Sequence, residues 1–237
     1  MDSVSTGLLL ATLAGLSIPV GALFAVLEDR LPGRLHEQVR HTVTAFGGGA
    51  LFSAIALVLL PEAIDRIAAL PLLVLFLAGG GVFFVVDRAL SRRGGGAQFM
   101  AMMLDYVPEA MALGALVVGR EDVAILTAGL IALQNIPEGF SAYRELISSG
   151  HATARRLFLL FLLMVPVGPI SAAFGFLFLV DHPEVLGGVM AFAGGGILYL
   201  LFQDVAPNAR LSSAGTPPLG AVLGFGLGLA GHLATLN

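Results

Sequence analysis

Eight apolar runs of membrane-spanning length, joined by connections too short to hold a domain, constrain this chain more than any other feature of it. A bilayer core about 30 Å thick needs roughly 20 apolar residues per helix. Such runs fall at about 5–27, 41–64, 70–90, 98–119, 122–146, 154–180, 184–208 and 217–236. In hydrocarbon every backbone N–H and C=O must be satisfied within its own segment. The expectation is therefore an all-α integral membrane protein, a single transmembrane domain over 1–237 with eight transmembrane helices. Composition agrees, with 57% hydrophobic residues and only 12% charged, about half the charged share of an ordinary soluble domain. No basic segment precedes the first run, so its helix is expected to stay in the mature protein.

All twelve basic residues are arginine, and they are unevenly placed. Arg30, Arg34, Arg40, Arg88, Arg92, Arg93, Arg144, Arg155, Arg156 and Arg210 lie in or beside the odd-numbered connections, whereas only Arg66 and Arg120 lie on the other side. The positive-inside rule then puts the odd connections in the cytoplasm and both termini outside; the expected location is the cell (plasma or inner) membrane. Helices two, four and six run outward.

Two internal repeats follow. Phe46-Gly-Gly-Gly-Ala and Pro61 of the second run are matched, 146 residues on, by Phe192-Ala-Gly-Gly-Gly and Pro207 of the seventh. Asp105-Tyr-Val-Pro-Glu-Ala in the fourth run is matched by Gln134-Asn-Ile-Pro-Glu-Gly in the fifth, 29 residues on. Both pairs lie on helices of opposite direction, which is the trace of an inverted repeat in a 3+2+3 plan, a common transporter architecture. The glycine triplets themselves are read as helix packing.

Asp105 and Glu109 share one face of the fourth helix, and Gln134 and Glu138 share one face of the fifth, because residues four apart stack on a helix. Counted at about 1.5 Å per residue, both pairs fall near mid-membrane. A carboxylate there costs on the order of 3 kcal/mol, and no arginine stands at that depth to offset it. A divalent cation offsets it directly, with three carboxylates and an amide oxygen as ligands. Pro108 and Pro137 free the carbonyls of Leu104 and Leu133, one turn earlier. The alternative is protonated carboxyls bonded between helices. Tyr106 and Asn135 are accessory candidates, though bridging between helices is the commoner role for such residues.

These residues resemble the metal-binding core of the ZIP zinc and iron transporters, whose Pro-Glu-Gly-type motif recurs on helices four and five. Leu60-Pro-Glu-Ala, Val165-Pro-Val-Gly and Leu198-Tyr-Leu-Leu-Phe-Gln-Asp-Val-Ala-Pro are similar to the corresponding ZIP segments, so the likeness covers nearly the whole chain. The resemblance implies that Asp105, Glu109, Gln134 and Glu138 are the metal ligands, with Asp105 where the family usually has histidine. It also implies a homodimer. At the family's second metal position this chain has Tyr106, Asn135 and Val165, which implies a single-ion site. The histidine-rich loop of the family is replaced by Arg92-Arg93-Gly-Gly-Gly.

Glu62 and Asp65 at the outer end of helix two, and Gln203 and Asp204 near the inner end of helix seven, place acidic or polar groups at both mouths of such a pathway. Acids at helix ends also serve simply as interfacial residues, and Asp87 is weighed the same way. His36, His41, His151 and His182 border connections, and His232 stands alone in helix eight. The expectation is a carrier of a divalent metal ion (Zn, Fe, Mn or Cd class) into the cytoplasm, not an enzyme, with the metal as substrate and no prosthetic group. The alternatives are a degenerate member acting as metal sensor or binding protein, or a carrier of another cation. No cysteine is present, and neither a His-Glu-x-x-His motif nor a phosphate loop with lysine occurs. Nucleic acid is not an expected partner; the lipid bilayer is.

Overall fold

The computed structural model describes residues 2–28, 37–91, 97–150, 153–208 and 216–236. Helix α1 is Ser3–Glu28. Helix α2 spans 37–64, as Glu37–Ala54, a π-helical stretch Ile55–Leu59, and Leu60–Ile64. Then come α3 (Ala69–Ser91), α4 (Ala97–Leu116) and α5 (Glu121–Ser148). Helix α6 covers Ala154–Phe178, interrupted between Ala154–Met164 and Val167–Phe178. Helix α7 spans 183–208, as Pro183–Leu200, a π-helical stretch Leu201–Val205, and Ala206–Asn208, and α8 is Thr216–Thr235. Among the described residues there is no strand, and eight helices are long and apolar enough to cross a membrane.

The departures from regular helix have local causes. Helix α4 stops at Leu116, short of 119, because the chain reverses through Gly119 at φ +80°, a conformation open to glycine at little cost. The break in α6 falls at Val165 and Pro166, where the ring has no N–H to donate. The two π-helical stretches end just before Pro61 and Pro207. In each, the residue before the proline donates its N–H five residues back, Leu60 to Ile55 and Ala206 to Leu201. A proline ring collides with the carbonyl four residues earlier, and widening the preceding turn accommodates it. The widened turns stand 146 residues apart, as the prolines do.

Four helix crossings hold the bundle together, and each is built in the same way. A carbonyl on one helix lies directly against a glycine of the other, and the contact is returned three residues further along. Ile18 and Gly21 of α1 meet Ile136 and Gly139 of α5, while Met111 and Gly114 of α4 meet Ala172 and Gly175 of α6. Phe76 and Gly79 of α3 meet Phe192 and Gly195 of α7, while Phe46 and Gly49 of α2 meet Ala221 and Gly224 of α8. At these eight glycines a Cβ would fall inside the facing backbone oxygen. Such close approach lets many weak contacts accumulate where lipid provides no hydrophobic drive for association.

The helices divide into an enclosing set and a peripheral set. Only 11% of the α3 span and 17% of α8 are buried, against 61% of α2 and α7. Large apolar side chains such as Leu70, Leu77, Leu219 and Val222 point away from the protein. Helices α2, α4, α5 and α7 wall the polar centre.

Candidate functional site

Helices α4 and α5 carry the polar centre. Asp105, Glu109 and Gln134 are 2%, 1% and 0% exposed, and Glu138 is half-buried. Gln134 Nε2 donates to Glu109 Oε2 at 2.7 Å, a buried side-chain bond joining the two helices. Asp105 and Glu138, one turn away from that pair on their respective helices, line a cavity of about 60 Å³. Its wall is completed by Thr44, Gly47, Gly48 and Leu51 of α2, Met102 of α4, Ser141 of α5, and Leu200 and Val205 of α7, among others. That volume admits a few waters or a partly hydrated ion.

The glycine triplet of α2 has a divided role. Gly49 makes the crossing to α8, whereas Gly47 and Gly48 line the cavity, against Pro137 and Val205. All three pack helix against helix, as read from the sequence, and Gly47 and Gly48 line the cavity as well. Side chains around the mouth, Thr44, Ala101 and Ser141, are half-exposed, while Asp105 beneath them is buried. These mouth residues lie toward the start of α2 and α4 and the end of α5, so the cavity is set on the face of the odd-numbered connections.

Asp105 Oδ1, Glu109 Oε1 and Gln134 Oε1 are buried without a hydrogen-bond partner. A buried acceptor left unpaired costs roughly 1–3 kcal/mol, and three acceptors together, with no cationic side chain in the cavity wall, call for a cation or a proton donor. Among the described residues, no three His, Asp or Glu side chains gather closely enough to hold a metal ion as they stand. The four candidate ligands form instead two tiers: the cavity pair Asp105 and Glu138, and the bonded pair Glu109 and Gln134.

The accessory candidates separate. The Tyr106 hydroxyl donates to the Ala11 carbonyl at 3.3 Å and seats between Gly15 of α1 and Gly168 of α6. Asn135 Nδ2 donates to the Ala14 carbonyl at 3.4 Å, leaving Asn135 Oδ1 buried without a partner. Both therefore tie the centre to α1. Tyr106→Phe is expected to lower stability by about 1 kcal/mol, measured by denaturation in detergent; a variant as stable as the native protein would mean that this tie contributes nothing.

Glu62 does not line the cavity; it is paired with Arg66 and Arg120. Gln203 is exposed, outside the cavity wall, and the Asp204 side chain lies outside what the structure describes. Asp65 is exposed. Asp87 is buried and accepts a hydrogen bond from the Tyr199 hydroxyl at 2.9 Å, so it ties α3 to α7 and is not simply an interfacial acid. His41, His182 and His232 do not line the cavity, and His36 and His151 lie outside the described residues. Sequence reasoning missed Thr44, Met102 and Ser141 because nothing in an apolar run marks which face meets another helix.

Fold and site together define a multi-pass helical membrane protein with a buried acidic centre opening on one face. No family model matches the chain, and no curated protein matches it.

Proposed function

We propose that this protein carries a divalent metal cation across the membrane, into the cytoplasm, in the manner of the ZIP transporters it resembles. The observation that carries the proposal is the set of buried acceptor oxygens on Asp105, Glu109 and Gln134, beside a cavity that Glu138 also lines. An incoming cation supplies the charge these oxygens lack. The Gln134–Glu109 bond engages one Glu109 carboxylate oxygen, and Glu109 does not line the cavity, so loading of the ion is accompanied by release of that bond and movement of Glu109 toward Asp105 and Glu138. With only oxygen ligands in the set, a harder cation such as manganese or ferrous iron is favoured over zinc.

The 3+2+3 inverted repeat belongs to this proposal. It is supported by the two π-helical stretches, 146 residues apart, and by the crossings: Phe46 and Gly49 correspond to Phe192 and Gly195 at the same offset. Phe76 and Gly79 correspond to Ala221 and Gly224 at an offset of 145. On the arginine-based orientation the cavity faces the cytoplasm and the termini lie outside. Because the chain has no cysteine, single introduced thiols report the orientation cleanly. Ser3→Cys is expected to react with an impermeant maleimide added outside intact cells and Ser149→Cys is not; the reverse pattern inverts the orientation. A homodimer is part of the proposal through the resemblance alone.

The experiment that tests transport is uptake of manganese, iron, zinc and cadmium into proteoliposomes. Saturable flux of one or more supports a carrier. Tight binding with no flux supports the second reading, a metal sensor or binding protein, which the two-tier, unassembled ligand arrangement also fits.

A further inference from the structure

The face bearing the termini is closed by an arrangement that the metal site does not need. Arg66 Nη1 lies 2.5 Å from Glu62 Oε2, and Arg120 Nη2 lies 2.8 Å from Glu62 Oε1. Arg66 Nη1 also donates to the Glu62 carbonyl at 2.7 Å. The Glu62 side chain is 5% exposed, that of Arg66 17% and that of Arg120 46%. These are the two arginines that stand apart from the odd-numbered connections, and both converge on a single buried carboxylate.

The two pairs are not equivalent. Glu62 and Arg66 are one turn apart at the end of α2, so they move together whatever the rest of the bundle does. Arg120 sits in the turn between α4 and α5, which are the helices that carry the four candidate ligands. The Glu62–Arg120 pair is therefore a bond between α2 and the site-bearing helices, on the face opposite the cavity.

Between that pair and the candidate ligands the helices carry large buried apolar side chains. Leu113 and Leu116 follow Glu109 along α4 toward the α4–α5 turn, Ile131 precedes Gln134 on α5, and Leu59 precedes Glu62 on α2. All four are at most 1% exposed and belong to one contiguous apolar cluster. A hydrated cation cannot cross such a plug while the helix ends are held together. At the opposite end of α2, Gly47 and Gly48 stand beside the open cavity.

We propose that Glu62 is the latch of the terminus-bearing face: its bond to Arg120 holds α2 against the α4–α5 turn, and breaking that bond is required for the site to open on that side. The proposal rests on the transport reading for its purpose, since a static binding protein has no need of a second opening. It also reassigns Glu62 from a cation-attracting group at the mouth to the group that keeps that mouth shut.

The test uses single thiols in the full-length protein in oriented vesicles, with Leu113→Cys as reporter of the plug and Ser141→Cys as reporter of the cavity. In the native background, a membrane-impermeant maleimide applied to the terminus-bearing face leaves Leu113→Cys unlabelled. Adding Glu62→Gln or Arg120→Gln is expected to raise its labelling rate about tenfold, corresponding to about 1.4 kcal/mol of shifted equilibrium. Labelling of Ser141→Cys from the opposite face falls in step. Arg120→Lys, which keeps the charge, retains most of the native protection. Should Glu62→Gln fail to fold, Arg120→Gln leaves Glu62 paired with Arg66 and tests the same bond. Unchanged labelling of Leu113→Cys in both backgrounds overturns the latch. Because labelling needs no substrate, a latch that opens in a protein showing no metal flux removes the transport reading and leaves the gate standing; normal flux with labelling unmoved does the opposite.

Discussion

Under the proposed transport function, proteoliposomes carrying Glu138→Ala or Glu109→Ala are expected to show no saturable metal flux above that of protein-free vesicles. Each residue supplies a carboxylate at the centre of an apolar bundle, where hydration cannot replace a missing ligand. Loss of a group one shell removed from a bound metal costs roughly 10–100-fold in affinity or activity, and removal of a direct ligand exceeds that. The two variants differ in what they leave behind. Glu138 lines the cavity and is half-buried, so alanine there enlarges the space beside Asp105. Glu109→Ala also strips Gln134 Nε2 of its acceptor, leaving a buried donor unpaired at a cost of roughly 1–3 kcal/mol. Glu109→Ala should therefore reduce stability as well as flux. Flux at half the native rate or better in both variants sinks the proposed site.

The second large effect is on folding. Gly114→Ala and Gly175→Ala, on the two sides of the α4–α6 crossing, are each expected to destabilise the protein by about 3 kcal/mol, the upper end of what overpacking costs. The reason is the identity of the obstacle. A Cβ at Gly114 meets the backbone of Ala172, and one at Gly175 meets the backbone of Met111. A flexible side chain can turn aside, but backbone moves only by parting the helices. Gly81 and Gly226 provide the contrast, since a Cβ at either has nothing within 4 Å. Alanine there removes the helix penalty of glycine and is expected to be neutral or to stabilise by up to about 1 kcal/mol. Unfolding in detergent, followed by circular dichroism, reads all four variants on one scale. Equal stability across the set would mean that these crossings do not hold the bundle.

Much of the architecture was legible because the bilayer simplifies it. Length and hydropathy suffice to mark a span, and all eight spans lie in helices of suitable length. The matched Pro-Glu motifs pointed to Asp105, Glu109, Gln134 and Glu138, since uncompensated intramembrane acids stand out in an apolar sequence. Glu62 illustrates the limit of such reading. Its pairing with Arg66 follows helix periodicity, whereas its pairing with Arg120 joins residues far apart in the chain and leaves no local trace. Tyr106 and Asn135 show the same limit: they adjoin ligand candidates in sequence, yet their donors go to carbonyls of α1.

The amino-acid sequence by itself determined that the chain is helical, how many helices are long and apolar enough to span a bilayer, and which residues put charge into apolar surroundings. These properties depend on the composition and period of single segments, which solvation acts on one at a time. Tertiary structure alone decided which helices cross, that Gly47 and Gly48 border a cavity while Gly49 makes a crossing, and that Gln134 is bonded to Glu109. It also decided that Glu62 pairs with Arg120 on one face while the cavity lies toward the other. Those features are set by how close two backbones come, and in lipid that distance is governed by shape and by reciprocal glycine contacts, which hydropathy does not record.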